Sequence, residues 1–146
     1  MKKSFVSVLI AAVILAGCGT STESPTDAAL FQLSLNRQKW ATQGVHDYSF
    51  DYDLAAMIFA PPVHIDVQND LVTKVTDRTS GAVYSNSGAP TVDSLFARVE
   101  SMIRNPSADM RVTYDAQLGF PAKIENASRI PDTGSTATVT NFQKVP

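Results

Sequence analysis

A chain of 146 residues, 44% of them apolar, is long enough to bury one core and short for more than one domain. Fourteen acidic residues against 12 basic ones give a net charge of −2, a poor basis for binding nucleic acid. A single cysteine excludes an internal disulfide and any multi-thiolate metal centre.

The first elements are targeting signals. Lys2 and Lys3 precede an apolar run from Phe5 to Ile14 that only Ser7 interrupts, and Leu15, Ala16 and Gly17 lead to Cys18. A charged start, a short apolar core and small residues form the layout of an export signal. The run is shorter than the roughly 20 residues a membrane-spanning helix needs. Leu15-Ala16-Gly17-Cys18 resembles a bacterial lipobox. That resemblance implies a lipid thioether on Cys18, cleavage between Gly17 and Cys18, and acylation of the new amino group. One acyl chain binds a membrane only marginally, at about 10⁴ M⁻¹, whereas several chains on one residue hold it there. An ordinary secretory signal with an incidental cysteine is the alternative.

The expected organisation is therefore a signal peptide over 1–17, a lipidated cysteine and polar tether over 18–25, and a single α+β domain over 26–146. Loss of Lys2 and Lys3 takes the net charge from −2 to about −4. Acylation of Cys18 also removes thiol chemistry from everything downstream. Gly19, in place of an aspartate, favours the periplasmic face of the outer membrane if the source is Gram-negative.

Ser24-Pro25-Thr26-Asp27 predicts a helix start: a capping serine, a proline suited to the first turn, and an early acid. Leu30, Leu33 and Trp40 form a stripe flanked by Phe31 and Leu35, and Gly44 marks the stop. Tyr48 to Leu54 and Val63 to Gln68 alternate apolar and polar residues, as half-buried strands do. Asn69-Asp70 predicts a tight turn into a third strand, Leu71 to Val75. Ser80 to Pro90 reads as loop, with a short extended piece at Val83-Tyr84. Val92, Leu95, Val99, Met102 and Ile103 give the cleanest helical stripe in the chain, capped by Thr91 and ended by Asn105-Pro106.

Alternating segments follow at Met110 to Tyr114, Ala122 to Glu125 and Thr136 to Phe142. The predicted class is α+β: an antiparallel sheet of five to six strands with two helices on one face, ordered helix, three strands, helix, three strands. Tyr52-Asp53 before Pro62 is echoed by Tyr114-Asp115 before Pro121, which raises the option of a duplicated unit.

His64, Asp66 and Asp53, with His46, form the one grouping with metal-ligand or proton-transfer chemistry, because pairing of the first two strands would bring them to one polar face. Strand alternation alone also demands polar residues at these positions, so a solvated sheet face is the simpler reading. Met57-Ile58-Phe59, an apolar tip between strands, is a candidate partner contact or else folds back into the core. The sequence contains no nucleophile elbow, no His-Glu-x-x-His and no phosphate-binding glycine loop, so no catalytic set and no cofactor are expected.

Several segments in order carry a resemblance: Trp40 with Asp47-Tyr48-Ser49-Phe50, the Gln68-to-Val72 hairpin, Thr91-to-Phe96, Val112-to-Asp115, and Gly119-Phe120-Pro121. Together they resemble a family of small bacterial, often lipidated, proteins catalogued as domain of unknown function 6174, over about residues 30 to 143. The sequence departs from that pattern at Ala55 to Ala60, where many members carry a Cys-x-Cys pair, and at Asn69-Asp70, where members show Asn-Gly. The resemblance supplies no activity. The expectation is an envelope lipoprotein that binds or scaffolds a partner at the membrane without catalysis. A periplasmic hydrolase or metal-binding protein using His64, Asp66 and Asp53 is the rival, and a purely structural envelope protein is a third option.

Overall fold

A computed structural model describes residues 24–57, 60–86, 88–105, 109–127 and 134–145. The elements run α1 (Pro25–Ala41), β1 (Tyr48–Ala55), β2 (Val63–Gln68), β3 (Leu71–Asp77), β4 (Val83–Tyr84), α2 (Val92–Arg104), β5 (Asp109–Tyr114), β6 (Pro121–Ala127) and β7 (Ser135–Lys144). All seven strands join one sheet in the order β4-β3-β2-β1-β7-β6-β5, and every neighbouring pair is antiparallel.

The expected count of five to six strands, in the order α-β-β-β-α-β-β-β, is corrected by β4. Val83 and Tyr84 pair with Thr76 and Val75, so the first half of the chain contributes four strands. The turn that places them is built on Asp77. Its carboxylate accepts the Thr79 and Ser80 amides, and the Tyr84 hydroxyl donates to it at 2.5 Å. These bonds, that of Tyr84 first, hold the Asp77 carboxyl down at about 2. Side-chain bonding of this kind is invisible to a search for alternation.

The domain is α+β, with its core between the helices and one face of the sheet. Tyr48, Phe50, Ile65, Val67, Ile124, Ala137 and Val139 point from the strands into a cluster completed by Leu33, Trp40, Val92, Leu95, Phe96 and Val99. Trp40 stands edge-on to Tyr48, Phe120 and Phe142 at centroid distances of 5.6, 6.2 and 5.7 Å. The Tyr48 hydroxyl is buried with a purpose: it accepts the Val92 amide at 3.0 Å, one of the orphan donors at the start of α2. Burial pushes that phenol up to about 12.

The helix ends follow the sequence signals. Ser24 accepts the Asp27 amide and Pro25 opens α1, while Thr91 and Ser94 form a reciprocal capping box on α2. Asn69 and Asp70 both take positive φ, as a two-residue hairpin turn requires. Gly119, at φ +85°, lies so close to α1 that a Cβ there would sit 2.7 Å from the Asn36 carbonyl oxygen.

The Tyr-Asp and Pro echo does not mark a repeated unit. Superposing β1, β2 and β3 on β5, β6 and β7 would shift the sheet by three places. In an antiparallel sheet that reverses every strand, and no rotation that keeps the helices on one face achieves it.

Among the described residues no helix is long and apolar enough to cross a membrane. Gly17 and Cys18 lie outside the described residues, as do Ile58 and Phe59. Met57 is exposed at the end of the β1 segment rather than folded into the core.

Candidate functional site

The sheet face away from the helices carries the polar half of each alternating strand. Asp51 lies directly across from His64 in the β1–β2 register, and Ser49 lies across from Asp66. His64 Nδ1 meets Asp51 Oδ1 at 2.7 Å, and His64 Nε2 approaches Asp66 Oδ1 at 3.6 Å. Arg78, just past the end of β3, lays its guanidinium across the network. Its Nε is 3.2 Å from Asp51 Oδ2, and its Nη1 is 3.2 and 3.1 Å from the two oxygens of Asp53. Asn141 closes the arrangement by donating to Asp51 Oδ2 at 2.7 Å.

Asp51 is thus the hub, and it is only 7% exposed although it lies on the polar face. Burial by itself would raise its pKa. The hydrogen bonds from Asn141 and His64 and the charge of Arg78 overcome that and leave it lowered.

Asn141 reaches the hub through a bulge. Ala137 and Val139 point inward, Thr140 and Asn141 both stay outside, and Phe142 returns to the aromatic cluster. Asn141 adopts φ +50°, and the β1–β7 register slips between Ser49 and Asp51. Asparagine tolerates the left-handed region better than most residues, which suits it to the extra position in a bulge.

The structure brings His64 and Asp66 together as their spacing predicts. Asp53 joins them only through Arg78. Alternation places Asp51 on this polar face beside Asp53, but the candidate grouping does not include it; Arg78 and Asn141 are missed altogether. Arg78 lies just past β3, and Asn141 sits at a break in the pattern of β7.

His46 lies apart, with Nδ1 2.7 Å from Asp70 Oδ2, and that hydrogen bond raises its pKa. The contact belongs to the hairpin turn. Asp47 accepts the Asn69 amide and the His46 carbonyl accepts the Asp70 amide. An aspartate at positive φ, where glycine would be relaxed, is thereby given two partners.

Among the described residues, no group of three or more His, Cys, Asp or Glu side chains is arranged to hold a metal ion. In the His64 cluster the cationic partner is Arg78. A cavity of about 390 Å³, with Tyr52, Leu54, Pro61, Val63, Val75 and Tyr84 in its lining, belongs to the helix side of the sheet. It shares no residue with the His64 network.

This arrangement defines a class: a small α+β domain with one sheet, two helices on one face and a cross-linked polar surface on the other. Residues 32–144 match the family described as a family of unknown function (DUF6174), and the chain belongs to that family. No curated protein is matched by the sequence.

Proposed function

We propose that this protein is a cell-envelope lipoprotein, anchored through Cys18, whose domain serves as a non-catalytic binding or scaffolding module. The observation that carries this reading is the closure of the hydrogen bonds and ion pairs around Asp51. Asp51 gives one oxygen to His64 and the other to Asn141 and Arg78, and Arg78 also neutralises Asp53. A general base or metal ligand needs a free lone pair aimed at a substrate or ion. Here Asp51 commits both oxygens and Asp53 meets Arg78, which ties β1, β2, β7 and the end of β3 together, while the Asp66 carboxylate stands 3.6 Å from His64 Nε2. The product is a stiff polar surface that no described element covers. The hydrolase reading would rest on the His64–Asp51 contact, with the other ring nitrogen turned toward the Asp66 carboxylate at 3.6 Å, outside hydrogen-bond distance.

Thr140 is exposed on this face opposite Asp51, which makes it the place to test. A photoreactive residue at Thr140 should trap a discrete envelope component in living cells, and Cys18→Ser should abolish that capture by releasing the protein from the membrane. Met57, exposed at the strand end, is the second position to probe. No capture from either position, combined with a hydrolytic activity that His64→Gln abolishes, would replace this reading with the hydrolase.

A further inference from the structure

The outward side of α1 is built unlike that of an ordinary surface helix. Phe31 and Leu35, one turn apart, are 59% and 43% exposed. Around them Ala28, Gln32, Ser34, Gln38 and Thr42 are also exposed, and none carries a charge. Asp27, in the first turn and four residues before Phe31, is the one charged residue among the exposed positions of Ser24–Thr42. The two basic residues of α1 are engaged elsewhere: Arg37 pairs with Glu100 at 3.0 Å, and the Lys39 ammonium donates to the Ala116 carbonyl. Two large apolar side chains on a strip whose one charge, Asp27, lies at its first turn are a surface suited to an apolar cover.

Position in the chain indicates the cover. Between Cys18 and Ser24 the backbone can span at most about 20 Å, at about 3.3–3.6 Å per residue. The helix that starts there is 17 residues long, about 25 Å at 1.5 Å per residue. Phe31 and Leu35 occupy its middle, so an anchor at Cys18 keeps them within reach of the lipid surface. Tethering also converts a weak contact into an intramolecular one, with an effective concentration of about millimolar.

We infer that α1 lies against the bilayer, with Phe31 and Leu35 inserted at the level of the headgroups and upper acyl chains. The contact rests on the anchoring proposed above and adds an orientation to it: the helix side of the domain faces the lipid, and the polar face of the sheet is turned to the envelope. A strip that carries no basic residue gains nothing from anionic lipid, so salt does not weaken the contact.

Acylation consumes the one native thiol, which makes an introduced cysteine uniquely reactive. Full-length F31C, L35C and V83C proteins, labelled with an environment-sensitive fluorophore, are reconstituted in phosphatidylethanolamine–phosphatidylglycerol vesicles. Val83 is the control, an exposed apolar residue on the far edge strand. Labels at 31 and 35 should emit to the blue and be quenched several-fold more by nitroxide-labelled lipid than the label at 83. Equal quenching at all three positions, with Cys18 shown by mass spectrometry to be acylated, overturns the contact and leaves the anchor standing. Blue-shifted emission without lipid quenching assigns the strip to a protein partner or a second copy, and also overturns it. A free Cys18 in the mass spectrum removes the anchor and this contact together.

Discussion

The two helices share one side of the sheet but are made by different rules. Helix α2 is amphipathic: Val92, Leu95, Phe96, Val99 and Ile103 are buried, and Asp93, Ser94, Ala97, Ser101 and Arg104 face water. Helix α1 buries only Leu33 and Trp40 while holding Phe31 and Leu35 outside, so its apolar residues fall on both sides of its axis. Folding of the domain accounts for every large apolar residue of α2. It accounts for only part of α1, and the remainder, Phe31 and Leu35, is what the proposed lipid contact would use.

The largest effect should separate the two helices by one comparison. Phe96 is fully buried and stacks near Tyr114 at 6.4 Å. Phe96→Ala should cost about 3–5 kcal/mol through lost burial and the cavity it leaves. Phe31→Ala should change stability by no more than about 0.5 kcal/mol, as surface substitutions do. Denaturant unfolding of the purified protein measures both. Similar losses for the two would mean that Phe31 belongs to the core, and the contrast between the helices would collapse.

A smaller but still large effect should come from the turn on which α1 rests. The segment from Asp115 to Phe120 is closed by the Asp115 carboxylate, which accepts the Gln117 and Leu118 amides at 2.9 and 2.6 Å. This sets Gly119 at positive φ against the backbone of α1. Gly119→Ala incurs about 1–2 kcal/mol for the left-handed backbone. It also drives a methyl group into a carbonyl oxygen that belongs to a helix and cannot swing aside. Loss of about 2–4 kcal/mol is the expected sum, with hydrogen exchange rising in α1 before α2. Uniform exchange across both helices would show that α1 is not the looser of the two.

These cases also show what the sequence makes legible. The cores of the strands and of α2 can be read because burial imposes period 2 or 3.6 on consecutive residues. The His64–Asp66 pairing is legible for the same reason. The fourth strand is not: two residues carry no periodicity, and it is the Asp77 carboxylate and the Tyr84 hydroxyl that hold them in place. Asn141 escapes because a bulge breaks the rule by which strands are found. Arg78 escapes because its partners come from β1, a strand 25 residues back in the chain. The outward Phe31 and Leu35 are visible in the sequence as flanks of a stripe, but their exposure depends on where Trp40 and Leu33 are anchored. Residues that form a site are chosen by the topology, and local pattern sees only those on one strand or on strands joined by a readable hairpin.

The smallest effect concerns the ion pair that joins the helices. Arg37 of α1 lies over the Phe96 ring, 5.6 Å from its centroid, and reaches Glu100 at 3.0 Å. Glu100 also takes Arg104 of its own helix at 2.9 Å. Hydrogen bonds from Arg104 first and Arg37 second lower the Glu100 pKa below its ordinary value. A carboxylate whose pKa is lower in the folded state stabilises that state fully above its unfolded value, about 4.3, and loses the contribution as the pH falls through the folded value. Glu100→Gln should therefore lower the melting midpoint slightly at pH 7, and the gap should close as the pH falls through the folded-state value. The pair is partly exposed, so salt should shrink the gap as well. The apolar contacts of α2 do not titrate, and the penalty of Phe96→Ala should persist over the same pH range. A Glu100→Gln gap that survives acid would mean that α1 is held by packing alone. In that case the difference between the helices would reside wholly in their apolar faces.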